Sequence, residues 1–384
     1  MFKKSKFIKL IALSVISTSL FSCGSNGNKE PLTKNVVISE VYVGNSLIDS
    51  CLEIANTGTS SINLTGYQLV LYKDKNNIDY TYTFKETLEA SKTMIFANNT
   101  FDAASKNIVD YINIGGDFIY GRNYIELLDS NGTLIDCVGY KGIQVTYVEK
   151  QSLIRLKEFS EGFGTFDSLH FIKVKLGVSK YLGNIEAPLS VEEIRKGPSI
   201  DEEYSNYEFC SSDDKPLGGC VNVNLKALGD GDTTQFTYPS EYSRFDDYSH
   251  RIRYLLINTP EVDHGSSSSI VAEPWGKAAQ ELNNTLLSGA KKIIIQSNRN
   301  FSLTETYGRV LGYVWYSNEA NTTLKDYKLL NFIMVQEGLA RFSTYDKYET
   351  MYSGDVLYFD YINYVYEEAY QKGIKIWGET DPDF

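Results

Sequence analysis

The stretch Arg253–Glu261, R-Y-L-L-I-N-T-P-E, constrains this chain more tightly than any other. Leu255, Leu256 and Ile257 form an apolar run that reads as strand. Pro260 ends it, because proline has no N–H for a sheet ladder and steers the residue before it away from helix. An arginine therefore stands at one end of a short strand and a carboxylate just past the other.

Two further pieces flank it: Asp230-Gly231-Asp232-Thr233 upstream and Tyr307-Gly308-Arg309 downstream. Two arginines and a few hard oxygen donors are what phosphodiester cleavage needs, a cation and a guanidinium clamp on a phosphate that gains charge. Singly, each piece has an ordinary explanation: D-G-D-T as a turn, a lone strand arginine as half of a surface ion pair. As an ordered set, D-G-D-T, R-x-L-L-I-N-T-P-E and Y-G-R resemble the staphylococcal-nuclease-like (thermonuclease) family. The resemblance runs from about Val221 to the C-terminus.

That resemblance implies Ca²⁺ held by Asp232, by the amide oxygen of Asn258 and by the backbone carbonyl of Thr259, with Asp230 behind them. It implies Glu261 as the group that activates or positions the attacking water. It implies Arg253 and Arg309 as phosphate clamps that lysine cannot replace. The family often has Asp where this chain has Asn258, so a neutral ligand predicts weaker metal affinity. The implied reaction is calcium-dependent hydrolysis of DNA and RNA, single-stranded or frayed, leaving 3′-phosphates.

The pattern around these motifs agrees with a barrel. Val221, Val223 and Leu225 share one face of a half-buried strand. Further strands are expected at Thr234–Tyr238, Arg251–Ile257, Lys291–Gln296 and Arg309–Tyr316, and helices near Trp275–Leu287, Lys328–Leu339 and Tyr361–Gln371. Five strands with helices in that order match the OB-fold β-barrel of the resembled family. The run Tyr238–Ser249 is longer than that family's usual hairpin. Its Tyr238, Tyr242, Phe245 and Tyr248 read as cover for the barrel, with base stacking as the alternative. His250 and His264 read as passive, and Gly265–Ser269 as a mobile loop that gates substrate.

With 384 residues the chain has room for two domains. Short strands with frequent turn signals fill residues 35–184 and predict an all-β sandwich. V-I-S-E-V-Y-V, C-L-E-I-A-N-T-G, I-N-L-T-G-Y-Q-L and Y-I-E-L-L-D-S-N-G-T-L-I-D resemble the lamin-tail domain, an immunoglobulin-like sandwich. This implies a binding or positioning module, for an unknown ligand, without its own catalysis. Glu40, Glu53 and Glu126 read as a solvated strand face with polar sheet contacts, with a ligand or ion contact as the alternative. Residues 185–220 read as a semi-ordered linker with one short helix at Ser190–Lys196, where Ser190 and Glu193 form a capping box.

The N-terminus is a targeting segment. Lys3, Lys4, Lys6 and Lys9 precede the apolar run Leu10–Phe21, too short to span a bilayer, and L-F-S-C ends it at Cys23. This resembles a bacterial lipoprotein signal: residues 1–22 removed, Cys23 lipidated, 23–34 a polar tether, and the protein held outside the cytoplasm on a membrane. The plainer alternative is an ordinary signal peptide with a chance cysteine. Cys210 and Cys220 bracket a loop that a disulfide would close, and Cys51 and Cys137 either pair or stay as buried thiols. A formal charge of −12 argues against a protein that coats polyanions, so a local cationic clamp must carry any nucleic-acid contact.

The chain is therefore read as multidomain: an immunoglobulin-like sandwich, then residues 221–384 as an OB-fold barrel with three helices. Its expected work is that of a lipid-anchored, extracytoplasmic calcium nuclease. The alternative is a surface lipoprotein whose degenerate nuclease domain binds nucleic acid or protein without cutting.

Overall fold

The computed structural model describes residues 35–45, 49–74, 77–97, 101, 112–113, 119–176, 181–263, 271–299, 302–343 and 351–384. The leader, Cys23, the tether, His264 and the Gly265–Ser269 loop lie outside the described residues. No helix among the described residues is long and apolar enough to cross a membrane. The chain divides into two compact units. The first holds Met1–Arg155, Phe159–Asp167 and Ser179–Glu186; the second holds Leu156–Glu158, Ser168–Val178 and Ala187–Phe384.

The first unit contains strands β1 (Val36–Val43), β2 (Ser50–Asn56), β3 (Gln68–Tyr72), β4 (Ile78–Thr83), β5 (Thr93–Ala97), β6 (Ile112–Asn113), β7 (Tyr124–Leu128), β8 (Leu134–Val138) and β9 (Gln151–Arg155). One sheet runs β9-β1-β2-β5-β6 and the other β8-β7-β3-β4. Leu52, Ile54, Leu69, Leu71, Phe96, Ile125 and Leu127 are fully buried in its core. Asp136 on β8 ties the two sheets together. It accepts hydrogen bonds from Ile38 N at 2.7 Å and Phe163 N at 3.1 Å, and pairs with the Arg155 guanidinium at 2.5 Å.

The acidic strand residues are not a solvated face. Glu40, Glu53 and Glu126 are all buried. Glu40 and Glu53 stand opposite each other across β1 and β2, beside a register shift between Ile38 and Glu40. Ser152 Oγ donates to Glu40, while Ser39 Oγ and Gly183 N each donate to Glu53 at 2.6 Å. Burial pushes both carboxyls up, Glu53 to about 7, and for Glu40 the neighbouring Glu53 charge adds to the effect. Glu126 is paired instead, with Lys141 at 2.6 Å and Tyr72 OH at 2.7 Å. The reading failed because β1 and β2 are buried at every position, so alternation along the strand no longer separates wet from dry faces.

In the second unit the connector is packed, not semi-ordered. Helix α1 (Val191–Lys196) carries the expected capping box between Ser190 and Glu193. Its C-terminal end is then fastened: Arg195 O accepts from Gln336 Nε2 at 2.7 Å, and the Arg195 side chain pairs with Glu368. Further on, Tyr204 OH accepts from Tyr352 N at 2.8 Å. Phe209 packs against Tyr238, Tyr242 and Phe245, with ring centroids 5.6 to 6.2 Å apart. Cys210 and Cys220 remain thiols, as does Cys137, which donates to Phe163 O.

The barrel strands are β10 (Cys220–Ala227), β11 (Thr233–Thr237), β12 (Ile252–Tyr254), β13 (Lys292–Gln296) and β14 (Val310–Ser317). Among the described residues they pair in the ring β12-β11-β10-β13-β14, and a parallel pairing of β14 with β12 closes it. Gly312 on β14 leaves room for Ile295 of the neighbouring β13, whose Cγ2 a Cβ would meet at 2.9 Å. Helices α2 (Gly276–Gly289), α3 (Leu330–Gln336) and α4 (Tyr358–Lys372) complete the domain. The third strand is shorter than its apolar run: the chain turns at Leu255-Leu256, where Leu256 has φ +65°. Asn331 on α3 compensates the broken ladder by donating to Leu255 O at 2.8 Å. Ile257 then pairs with Phe342 and Asn258 with Arg341.

Candidate active site

The turn after β10 is shaped by what surrounds Gly231. A Cβ there would meet Thr259 Cγ2 at 2.8 Å and the Ala279 Cβ of α2 at 2.9 Å. Only glycine lets the turn lie against the helix and so aim Asp232 inward. Helix α2 also holds the turn by its backbone: Asn283 Nδ2 donates to Asp230 O at 2.7 Å and Gln280 Nε2 to Gly229 O at 3.1 Å. Tyr254 OH donates to Asn283 Oδ1 at 2.8 Å and meets Thr234 Oγ1 at 2.9 Å, which joins β11, β12 and α2 through buried polar atoms.

A cleft of about 630 Å³ opens above this network, lined by Asp230, Asp232, Arg251, Arg253, Asn258, Thr259, Glu261 and Arg309 among others. All six residues expected from sequence therefore share one cavity, and Arg251 joins them. Asp232 and Thr259 are buried in its wall, and Thr259 N donates to Asp232 Oδ2 at 2.9 Å. Arg253 Nη1 pairs with the same Asp232 oxygen at 2.8 Å, and its Nη2 donates to Asn258 Oδ1 at 2.7 Å. Arg309 pairs with Glu305 at 3.1 Å. Burial pushes the Glu305 carboxyl up, yet the hydrogen bonds and charge of Arg309 leave it below the usual range.

The backbone of Glu261 is pinned on both sides. Glu261 N donates to Glu273 Oε2 at 3.2 Å, and Glu273 N returns a bond to Glu261 O at 2.9 Å. The start of α2 rests on the same carbonyl, because a Cβ on Gly276 would lie 2.2 Å from Glu261 O.

Asp232, Asn258 and Thr259 offer one carboxylate, one amide oxygen and one carbonyl. These are hard donors suited to a calcium-type cation, with a single formal charge between them. Among the described residues no group of three His, Cys, Asp or Glu side chains is placed to hold a metal. An entering cation has to compete with the Arg253 guanidinium for both side-chain oxygens.

The sequence reading missed Arg251, Tyr254, Gln280 and Asn283. For Asn283 a signal existed: it stands between Ala279 and Leu287 on the buried stripe of α2, where a polar residue needs a polar partner. The long aromatic run divides. Tyr238 and Phe245 are buried and Tyr242 packs on Phe209, while Tyr248 is 69% exposed.

No curated protein matches the chain. The family model described as Lamin Tail Domain matches residues 30–142, and the one described as Staphylococcal nuclease homologue matches residues 251–379. The second match contains Arg253, Asn258, Thr259, Glu261 and Arg309, and begins after Asp232. The chain therefore carries a lamin tail domain followed by a staphylococcal nuclease-like domain.

Proposed function

We propose that the second unit is a calcium-dependent nuclease that hydrolyses phosphodiester bonds of DNA and RNA, with single strands preferred. The observation that carries this reading is the single cleft shared by Asp232, Arg253, Asn258, Thr259, Glu261 and Arg309. Bound Ca²⁺ would be held by Asp232, Asn258 and the Thr259 carbonyl, and would supply positive charge beside the phosphate. Glu261 takes the proton of the attacking water. Arg253 and Arg309 hold the phosphate oxygens through paired N–H bonds as their charge grows. Arg309 reaches the phosphate by leaving or sharing Glu305, and Arg253 by leaving Asn258 and Asp232.

The same reading places the protein on the outer side of a membrane, anchored by lipid on Cys23, where it degrades nucleic acid outside the cell. The leader motif supports that location. The lamin tail domain is read as the positioning module, with an unidentified ligand.

A second reading has one observation in its favour. Arg253 bridges Asp232 and Asn258, so the cleft already contains a cation on two of the three expected metal donors. On that reading the domain holds nucleic acid without cutting it. Incubating the full chain with single-stranded DNA, with Ca²⁺ or with a calcium chelator, separates the two. Cutting that the chelator abolishes supports the nuclease. A folded sample that cuts at no calcium level supports the binding module.

A further inference from the structure

The rim of the cleft carries a second arginine–tyrosine pair, whose arginine has no expected role and whose tyrosine had base stacking only as an alternative to barrel cover. The Arg251 guanidinium lies over the Tyr248 ring at 4.2 Å, as Arg309 lies over the Tyr307 ring at 6.0 Å. The two pairs are neighbours: Val310 N donates to Arg251 O at 3.1 Å, and a Cβ on Gly308 would lie 3.6 Å from Ser249 O. Arg251, just before β12 begins, lines the cleft together with Arg253. Arg253 and Arg309 each face a carboxylate, whereas Arg251 Nε has no hydrogen-bond partner among the described residues. One face of Tyr248 is covered by its arginine, yet the side chain remains 69% exposed.

We infer that Tyr248 and Arg251 form a second nucleotide subsite, next to the phosphate held by Arg253 and Arg309. Arg251 contacts the neighbouring phosphate and Tyr248 stacks the base attached to it. A ring and a guanidinium are indifferent to base identity, so the subsite takes single-stranded nucleic acid of any sequence. Duplex DNA fits poorly, because its bases are stacked on each other and offer no free face. The chain builds this subsite at the end of the long Tyr238–Ser249 segment. The inference rests on the nuclease reading for its choice of ligand.

The test compares the full chain with Tyr248→Ala, Tyr248→Phe and Arg251→Ala on a fluorescent oligothymidylate and on bis(p-nitrophenyl) phosphate, which has no neighbouring nucleotide. Tyr248→Ala is expected to raise KM for the oligonucleotide about tenfold with kcat kept, and Tyr248→Phe to restore it. Arg251→Ala is expected to lower the slope of log KM against log salt by about one. Tyr248→Ala and Tyr248→Phe should cleave the small diester equally well. Equal KM values for all four proteins overturn the subsite and leave the nuclease reading standing. If the wild type cuts neither substrate, the nuclease reading fails, and oligonucleotide binding by fluorescence anisotropy takes over. An about tenfold weaker Kd for Tyr248→Ala then upholds the subsite, and equal or absent binding overturns it.

Discussion

Arg253 Nη1 and Asp232 Oδ2 lie 2.8 Å apart inside the cleft, and the same guanidinium reaches Asn258 through its other amino group. The arginine is thus an internal cation on donors that suit a metal. Replacing Asn258 by Asp adds a second carboxylate, and a divalent ion gains more from it than a monovalent guanidinium does. Calorimetric titration of Ca²⁺ into Asn258→Asp should show affinity about tenfold above wild type. Equal affinities would remove Asn258 from the ligand set.

Glu261 and Arg309 line the cleft from different elements, so their losses should differ in kind. Glu261→Gln is expected to lower kcat by roughly 100-fold or more, as loss of a general base does. Arg309→Lys is expected to fall nearly as far as Arg309→Ala, because an ammonium does not reproduce the planar fork. Steady-state kinetics on single-stranded DNA check both. A lysine variant with full activity would mean Arg309 supplies charge alone.

Gly231 predicts an overpacking defect. The methyl group of Gly231→Ala would press on Thr259 and Ala279 at under 3 Å. Destabilisation of about 1–3 kcal/mol is expected in urea unfolding, together with displacement of Asp232. Unchanged stability and unchanged calcium binding would show that the turn yields freely.

In the sandwich, Arg155 is the partner of a fully buried carboxylate. Arg155→Met leaves Asp136 without its charge partner, at an expected cost of about 3–5 kcal/mol. The double variant Arg155→Met/Asp136→Asn should recover part of that loss. Failure to recover any would mean that the backbone donors Ile38 N and Phe163 N need the carboxylate itself.

Glu53 predicts a pH dependence of unusual sign. Its carboxyl is raised by burial from its ordinary value of 4.5 to about 7 in the folded protein. A raised acid is more easily protonated when folded, so its charged form disfavours folding. The sandwich should be firmest in acid and weaken as pH rises from about 4.5 through 7, by up to about 1.4 kcal/mol per pH unit. Thermal melting across that range should show the slope in wild type and a smaller one in Glu53→Gln. Identical slopes would assign the effect to another group.

Much of the barrel was legible because its signals are local: an apolar run for each strand, helical spacing for α2, and a capping box for α1. The early turn at Leu255 was not, because the run L-L-I looks alike in strand and in turn. What decides is Asn331, which reaches Leu255 O from far along the chain. The burial of Glu40 and Glu53 was hidden for the same reason, since Ser152 and Gly183 come from distant segments. In the site, residue types and order were readable as motifs. The bridging of Asp232 and Asn258 by Arg253 was not, because it depends on the register that sets Thr233 beside Arg253 and on the turn at Leu256 that brings Asn258 back. Arg251 escaped because it lies just outside the motif, and nothing in its neighbours marks its ring partner.

The parallel seam between β12 and β14 has a kinetic consequence. Parallel neighbours cannot be made by a hairpin, and a long excursion through α2 and β13 must be completed before Ile252 meets Val310. Arg253 belongs to one side of that seam and Arg309 directly precedes the other. In an unfolded or half-folded chain they are far apart, with no cleft between them. Assembly of the phosphate clamp therefore keeps time with the slowest long-range contact of the barrel, and refolding should restore native-like strand signals before it restores any activity.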